Sequence, residues 1–302
     1  NASNVSVYSQ IKSFTFGPDV ETIPNTLCYN MSKINVPIVI PESVTSIGAY
    51  AFYSCTSVPS LTLNKAIKSY TTQFEYCSGL TKVYYTGSIE DWCGITFSYA
   101  SANPLYYAKN LYIGDTLATE ITIPSTVTSI GTYQFYNASC LTKVTLPSTL
   151  ATINSYAFCG CSNMAVINLG STAVTKVYSS AFDGCSKLKE IEFPNSVTSV
   201  GSSVLSNCTS LRKVTFGDNI TSIGDAALYN CTSLRKVTFG KNLTSVGSNA
   251  LRNCSALDTV VWNVKTFSIT SSSSTPFNAS NVSVYSQIKS FTFGPDVETI
   301  PN

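Results

Sequence analysis

The chain has 302 residues, only 11% of them charged, and a formal net charge of +2. Lys and Arg form no run, whereas nucleic acids and anionic membranes are bound by clustered basic side chains, so we expect neither partner. No apolar run approaches the ~20 residues of a membrane-spanning helix. The sequence contains no His, the commonest general base and the commonest transition-metal ligand.

Residues 188–256 consist of three consecutive copies of a 23-residue unit with apolar residues at the same offsets. The copies read LKEIEFPNSVTSVGSSVLSNCTS, LRKVTFGDNITSIGDAALYNCTS and LRKVTFGKNLTSVGSNALRNCSA. A fixed period of this length predicts a solenoid, because one unit cannot bury its apolar side alone and does so against its neighbours. Related copies extend along the chain, so we predict a single solenoid over residues 1–302 with about twelve coils. This replaces the two domains that length alone suggests.

Each coil has the same local pattern. The L-x-x-V-T-F segment alternates apolar and polar residues and predicts a strand, which ends at a Pro or Gly. The V-T-S-I-G segment predicts a second short strand, and S-x-A-F-x-x-C has the spacing of a short helix. Because stacked coils bring like strands together, we predict an α/β repeat with parallel sheets, mostly β, with short helical or 3-10 segments.

Two inserts and one duplication interrupt the period. Residues 88–114 form a long insert rich in aromatic residues, and residues 268–287 form a Ser-rich insert that we interpret as a loop. Residues 278–302 are identical to residues 1–25, at an offset of 277 residues. Since the internal copies have diverged, we interpret this identity as one period of a longer tandem array. It predicts either that the ends associate head to tail or that they are joined covalently in a larger parent protein.

The pattern L-x-x-I-x-L-P-x-x-V-T-S-I-G-x-x-A-F-x-x-C resembles the BspA-like class of bacterial leucine-rich repeats over nearly the whole chain. The resemblance implies a right-handed leucine-rich-repeat solenoid in an extracellular or cell-surface protein. It also implies a non-enzymatic role in adhesion or protein–protein interaction, with a host or matrix protein or a glycan as the partner. The alternative is a structural subunit, or one period of a tandem-repeat surface fibre that assembles end to end.

Cysteines recur at one repeat offset, and we call this set the cysteine ladder. Stacked thiols point the same way and Cys packs as a small apolar residue, so we expect packing rather than disulfides. Ala138 occupies the same offset in another coil, as a packing position allows. The Cys159-Gly-Cys161 sequence resembles half of a metal site, but no second pair or His completes it, and we expect no metal and no cofactor. Cys28 and Cys93 have no assignment. The ladder consists of Cys55, Cys77, Cys161, Cys185, Cys208, Cys231 and Cys254.

Acidic residues offer no catalytic pair. The sixteen carboxylates are scattered, and the best cluster, Glu90 and Asp91 beside Trp92, is interpreted as a solvated turn rather than a glycosidase pair. We therefore expect no enzyme and no catalytic residues. Asn207, Asn230 and Asn253 begin N-x-S/T sequons that a eukaryotic host could glycosylate, but we interpret most such sequons as by-products of a repeat rich in Ser, Thr and Asn.

Two regions are candidates for binding a partner. The outward positions of the first strand form a row of Thr and Lys, which the family resemblance places on an open face; the alternative is a solvated β face. Aromatic residues of the 88–114 insert either form a binding loop or pack on the next coil. The candidate partner-binding residues are Lys82, Tyr84, Trp92, Tyr99, Tyr106, Tyr107, Lys143, Thr145, Lys213, Thr215, Lys236 and Thr238.

Overall fold

The structure is a computed structural model that describes residues 10–267 and 287–298. These residues form a parallel-sheet β-solenoid of about 23 residues per turn, mostly strand with few helices, which confirms the predicted fold class. The solenoid has about ten turns, fewer than the predicted twelve. The chain divides into two compact units. The first contains residues 1–119 and 131–140, and the second contains residues 120–130 and 141–302. The Ser-rich insert predicted at 268–287 lies outside the described residues, apart from Gln287.

The first unit contains three sheets whose strands come from successive coils. One sheet pairs β2–β4–β6–β8–β9, and two smaller sheets pair β1–β3 and β5–β7. Every pair is parallel except β8–β9, an antiparallel hairpin whose turn contains Gly114 at φ +58°. The strands are β1 (Thr22–Ile23), β2 (Ile38–Val39), β3 (Ser46–Ile47), β4 (Ser60–Leu63), β5 (Ser69–Tyr70), β6 (Lys82–Tyr85), β7 (Thr96–Phe97), β8 (Leu111–Ile113) and β9 (Thr116–Leu117).

The second unit also contains three sheets, all parallel. Their orders are β10–β12–β14, β11–β13–β15–β17–β19–β21 and β16–β18–β20–β22–β23. The strands are β10 (Glu120–Thr122), β11 (Ser129–Ile130), β12 (Lys143–Thr145), β13 (Thr152–Ile153), β14 (Val166–Ile167), β15 (Lys176–Val177), β16 (Glu190–Glu192), β17 (Ser199–Val200), β18 (Lys213–Thr215), β19 (Ser222–Ile223), β20 (Lys236–Phe239), β21 (Ser245–Val246), β22 (Thr259–Trp262) and β23 (Ser290–Phe293).

The repeat period fixes the register of these sheets. Lys213 pairs with Lys236 and Thr215 pairs with Thr238, so identical offsets of neighbouring coils lie side by side. The buried side chains stack in the same way, as Phe216 and Phe239 show with ring centroids 5.8 Å apart. Each coil thereby covers the apolar side of its neighbour, which is how a solenoid of short units becomes stable.

The S-x-A-F-x-x-C segments are runs of turns, and the prediction of a short helix there is wrong. In the coil that ends at Cys161, the N–H groups of Tyr156, Phe158 and Gly160 donate to carbonyls of the next coil at 3.0, 2.8 and 2.7 Å. Tyr156 and Gly160 have φ values of +58° and +75°. Left-handed residues interrupt a right-handed helix, and the N–H groups that a helix would use internally join the coils instead.

The residue before the ladder position is left-handed, which explains the N-C dipeptides. Asn207, Asn230 and Asn253 have φ values of +60°, +61° and +63°. Asn enters this conformation more readily than most residues that carry a side chain. The left-handed backbone therefore explains why Asn occurs at these three sequons without invoking glycosylation.

The cysteine ladder packs in the core, as predicted. All of its residues are buried, and the eleven cysteines, all within the described residues, are not joined in disulfides. The thiols donate to carbonyls of the preceding coil; Cys231 Sγ, for example, lies 3.2 Å from Leu205 O. Ala138 is also fully buried. Cys28 lies three residues before the buried Met31, as Phe52 lies three residues before Cys55, so Cys28 takes the aromatic position of the first coil.

The 88–114 insert folds into regular structure. Helix α1 (Ile89–Cys93) begins with a capping box, in which Asp91 N donates to Ser88 Oγ at 3.1 Å and Ser88 N donates to Asp91 Oδ2 at 3.1 Å. Because Asp91 closes this box, the acidic cluster of the sequence is a helix start. A 3-10 turn (Ala100–Ala102) and helix α2 (Leu105–Ala108) follow, and β7 and β8 return the chain to the sheets.

Candidate binding surfaces

Trp92 is fully buried, so it is not part of an accessible surface as the sequence suggested. Its indole Nε1–H donates to Gln134 O at 3.1 Å, and its ring packs edge-on against Tyr85 with centroids 5.3 Å apart. Phe97, from the same insert, lies 5.7 Å from it. The alternative interpretation, in which the insert rings pack against the next coil, describes this part of the insert.

Tyr84 lies in a row of outward side chains across the first unit. It is stacked on Tyr112 with ring centroids 4.6 Å apart, and Lys82 Nζ lies 5.9 Å from the centre of the Tyr112 ring. The row continues through Thr62 to Val39, which is 56% exposed. Lys82 is exposed and Tyr84 is half-buried, so both side chains reach solvent.

In the second unit, the row of outward Thr and Lys side chains is divided into two segments, one before and one after the strand β14. Lys143 on β12 forms an ion pair with Glu120 at 3.6 Å, and Thr145 beside it is half-buried. A 3-10 turn (Leu169–Ser171) lies between β14 and β16 in the chain, and these strands belong to different sheets. Insertion of one extra residue in this coil accounts for the interruption.

On the β16 side of that turn, the outward side chains form an open groove of about 460 Å³. Glu190, Glu192, Lys213 and Thr215 are among its lining residues, and Lys236 and Thr238 continue the row on β20. Lys213 and Lys236 are exposed, whereas Thr215 and Thr238 are half-buried. The groove is shallow and polar, with charges of both signs.

A run of tyrosines lies on the turns of the first unit, and we call it the tyrosine band. Tyr106 and Tyr107 were predicted as candidates from the sequence, whereas the other members were not. Adjacent rings touch from coil to coil: Tyr29 is stacked on Tyr53 at 4.9 Å, and Tyr53 packs on Tyr76 at 5.1 Å. Further along, Tyr106 is stacked on Tyr136 at 5.8 Å. The band consists of Tyr29, Tyr50, Tyr53, Tyr76, Tyr106, Tyr107, Tyr133 and Tyr136.

Several band tyrosines are presented by unusual backbone geometry. Tyr50, Tyr76 and Tyr133 have φ values of +57°, +58° and +59°. A Tyr in this region is a genuine outlier because its Cβ crowds the backbone. The two halves of the band meet where Tyr76 N–H donates to the Tyr107 hydroxyl at 2.7 Å. The insert thus completes the band by supplying Tyr106 and Tyr107.

Four of the eight band tyrosines are exposed and the other four are half-buried. Tyr76 is 57% exposed, Tyr29 44%, Tyr50 41% and Tyr106 38%. Burial raises the pKa of Tyr107 to about 12, and burial with neighbouring Tyr76 raises the pKa of Tyr53. Because these pKa values lie above the ordinary value near 10, both hydroxyls stay protonated at neutral pH.

Tyr99, the remaining insert candidate, is half-buried and outside the band. Burial and the nearby Glu75 raise its pKa. The signal that locates the band is present in the sequence: Tyr29, Tyr53 and Tyr136 lie two residues before the ladder positions Met31, Cys55 and Ala138. Aromatic residues at one repeat offset stack on one face of a solenoid.

Within residues 10–267 and 287–298, no group of three Cys, Asp or Glu side chains is placed to hold a metal ion. The Asp91 carboxylate has its pKa lowered by hydrogen bonds from Ser88, as a helix cap does. No helix in the same ranges has the length and apolar character needed to cross a membrane.

Fold and repeat pattern together define a leucine-rich-repeat protein. The family model for the BspA type leucine rich repeat region matches in six copies, over residues 3–117, 108–227 and 175–302, so the chain belongs to this family. The sequence-based resemblance to the BspA-like class is thereby confirmed.

Two solved structures share the fold. A leucine-rich repeat protein from Bacteroides ovatus is 22% identical, with a TM-score of 0.61 over 94% of this chain and 69% of that protein. The pneumococcal vaccine antigen PcpA is 17% identical, with a TM-score of 0.54 over 96% of this chain and 80% of that protein. A sequence comparison with curated proteins gave no match.

Proposed function

We propose that this protein is a non-enzymatic binding protein of the cell surface or extracellular space, and that it adheres to a host or matrix protein through the tyrosine band. The observation that supports this most is the exposure of contiguous tyrosine rings across successive coils. A soluble protein seldom leaves a large apolar patch uncovered unless the patch binds something. Membership of a leucine-rich-repeat family, in which protein–protein interaction is typical, supports the same class of function.

Tyrosine suits a protein partner. Its ring supplies a large contact area at a low entropic cost, and its hydroxyl can hydrogen-bond at the rim of an interface. At ~4.8 Å per coil, the band from Tyr29 to Tyr136 extends over roughly 19 Å. This is a large enough platform for the central anchors of an interface burying ~800 Å² per partner. Lys82, Tyr84 and Tyr112 on the sheet offer a second aromatic and cationic contact in the same unit.

The strand rows of the second unit are weaker candidates. Glu190, Glu192 and Lys213 surround a shallow groove, and interface cores are depleted in charged side chains. We assign these rows to the solvated face of the sheet. A glycan would also stack on tyrosine rings, and the test below distinguishes a glycan from a protein.

The binding test uses Tyr→Asn substitutions at left-handed positions, where Asn removes the ring but tolerates the backbone. Tyr50→Asn and Tyr76→Asn are introduced into the full chain, and the matched control is Tyr156→Asn, at φ +58° in the second unit. The chains are applied to arrays of extracellular-matrix proteins and of glycans. We expect saturable binding to a protein, weakened roughly tenfold or more by each band variant and unchanged by Tyr156→Asn, since anchor aromatics carry ~2 kcal/mol or more.

Three results would contradict the proposal. Binding to glycans alone would assign the band to carbohydrate recognition. Equal losses in the band variants and in Tyr156→Asn would show that the fold, and not the band, was affected. Saturable protein binding that survives both Tyr50→Asn and Tyr76→Asn would place the binding surface elsewhere.

A further inference from the structure

One segment of twelve described residues occurs twice. Residues 10–21 and residues 287–298 both read QIKSFTFGPDVE. The first copy packs against the coil that follows it, residues 35–57, and the second copy packs against the coil that precedes it, residues 257–267. The two copies therefore show opposite sides of the same segment in contact with a coil.

The C-terminal copy is joined to its preceding coil. Its strand β23 pairs with β22, and Lys289 N–H donates to Asp258 O at 2.9 Å. Asp296 forms an ion pair with Lys241 at 2.8 Å. Strand β23 is the outermost strand of its sheet among the described residues. Phe293 is 42% exposed, whereas Trp262, its partner on β22, and Phe239 on β20 are buried.

The N-terminal copy is joined to its following coil through the other side. Asn35 N–H donates to Lys12 O at 3.3 Å, and Thr45 N–H donates to Glu21 O at 2.9 Å. Ser43 Oγ donates to Val20 O at 2.7 Å. These bonds match those between neighbouring coils elsewhere. Arg235 N–H to Arg212 O at 2.9 Å is the counterpart of the bond from Asn35, and Thr221 N–H to Thr198 O at 2.9 Å is the counterpart of the bond from Thr45.

Aromatic contacts follow the same division. In the N-terminal copy, Phe14 is stacked over the buried Phe52 at 6.1 Å and Phe16 meets it edge-on at 6.2 Å. The equivalent residues of the C-terminal copy, Phe291 and Phe293, are 40% and 42% exposed. A coil equivalent to residues 35–57 would cover them.

We propose that residues 287–298 of one protein molecule dock on the coil of residues 35–57 of a second molecule. There they take the place of the second molecule's own residues 10–21. Sequence identity supplies every contact: Lys289 O replaces Lys12 O, Glu298 O replaces Glu21 O, and Phe291 and Phe293 cover Phe52. This replacement of one segment by its duplicate is a head-to-tail domain swap, and it can continue from molecule to molecule. The swap involves neither the tyrosine band nor its partner, so its test is independent of the test of the proposed function.

Residues 10–21 and residues 287–298 compete for the same docking coil, and this competition sets the protein concentration at which molecules associate. Residues 10–21 are tethered to their docking coil, and a short tether gives an effective concentration in the millimolar range. The intact chain is therefore a monomer at micromolar concentration. Weakening the N-terminal copy opens the docking coil, and the same change in the C-terminal copy removes the segment that would occupy it. Chemically identical substitutions must then differ in effect: those in the N-terminal segment promote association, and those in the C-terminal segment do not.

The experiment compares those substitutions by sedimentation velocity of the full chain from about 1 to 100 µM, a range below the millimolar tether concentration. For Phe14→Asp/Phe16→Asp we expect half-association at a concentration at least tenfold lower than for the unsubstituted chain. For Phe291→Asp/Phe293→Asp, and for all four changes together, we expect monomers throughout. Association of the N-terminal variant that persists in the fourfold variant would overturn the proposal, as would a monomeric N-terminal variant.

A second measurement decides the case if the N-terminal variant does not fold. A fluorescent peptide QIKSFTFGPDVE is titrated against the folded Phe291→Asp/Phe293→Asp chain, which keeps the docking coil but cannot self-associate through its own segment. Because the peptide competes with the tethered residues 10–21, we expect the anisotropy to saturate in the millimolar range. Unlabelled peptide should compete the signal away, and the peptide in which both Phe are Asp should give none. Absence of saturable binding at millimolar peptide would overturn the proposal.

Discussion

Trp92 and Gln134 bind each other's backbone carbonyls across 42 residues of sequence. The indole N–H of Trp92 donates to Gln134 O, and the side-chain amide of Gln134 donates to Trp92 O. Both side chains are fully buried. The pair ties the long insert to the turn of residues 131–140 within the first unit, and so supports Tyr106 and Tyr107 of the tyrosine band beside Tyr136.

Trp92→Phe keeps an aromatic ring but removes the indole donor. We expect a loss of roughly 1–3 kcal/mol in the free energy of unfolding, because the smaller ring leaves space and one hydrogen bond is lost. The Gln134 carbonyl keeps a second donor, Asn103 Nδ2, at 3.2 Å. Gln134→Leu should cost a similar amount, and the two losses together should be less than additive, since they remove one arrangement. Urea denaturation of the two single variants and the double variant measures the coupling. Fully additive losses would show that the pair does not act as a unit.

We expect the glycine that follows the V-T-S-I strand of each coil to be required by close packing against the preceding coil. A Cβ on Gly224 would lie 2.4 Å from Ser202 N of the preceding coil. Gly184 is the matched comparison: its φ is +73°, but a Cβ there would meet nothing nearer than 3.6 Å. We expect Gly184→Ala to cost about 1 kcal/mol through backbone strain and Gly224→Ala to cost roughly 3 kcal/mol through overpacking. Thermal unfolding ranks them, and equal shifts would contradict the assigned close contact.

The parts of the fold that repeat were predictable from the sequence. Strand pairing follows from the period alone, since a 23-residue offset brings Lys213 beside Lys236 and Thr215 beside Thr238. The turn segments were mistaken for helices because apolar spacing of three and four residues also fits a run of turns. What distinguishes them is the left-handed backbone at residues such as Tyr156, which apolar spacing does not encode.

The candidate site was less predictable because it depends on contacts between unlike coils. Trp92 is buried by Gln134, which lies in a different copy of the repeat. Tyr107 joins the band through the backbone of Tyr76, at an insert whose path no period specifies. The exposure of an aromatic residue in an insert depends on such non-repeating contacts. By contrast, Tyr29 and Tyr53 lie at the same repeat offset, and this could have been recognised in the sequence.

Left-handed residues other than Gly and Asn are expected to limit stability. Ala226 has φ +51° and is half-buried. Ala226→Gly should raise the free energy of unfolding by about 0.5 kcal/mol, because relief of the strained backbone exceeds the entropy that Gly adds to the unfolded chain. The adjacent Ala227 is fully buried and does not have a positive φ. Ala227→Gly should therefore destabilise the chain by about 1 kcal/mol, and the same sign for both variants would refute this account.

The cysteine ladder should make the protein sensitive to alkali. Burial raises the pKa of Cys77 to about 12, and burial likewise raises the pKa values of Cys55, Cys185, Cys208 and Cys231. In the unfolded chain these thiols ionise near pH 8.5. Above that pH the unfolded state releases protons that the folded state keeps, so stability falls as pH rises toward the folded pKa values. Each such thiol contributes a slope of about 1.4 kcal/mol per pH unit.

Urea denaturation under reducing conditions from pH 7 to 11 measures this slope in the full chain. Cys231→Ala isolates one thiol, and Ala138 shows that Ala fits the ladder position. Between pH 7 and 8 we expect the variant to be less stable by about 1 kcal/mol for the lost sulfur contacts. Above pH 9 its stability should decline less steeply than that of the unsubstituted chain, by one thiol's slope, so the two curves converge and cross. Because tyrosine ionisation affects both chains equally, parallel curves would show that the ladder thiols do not control the alkaline transition.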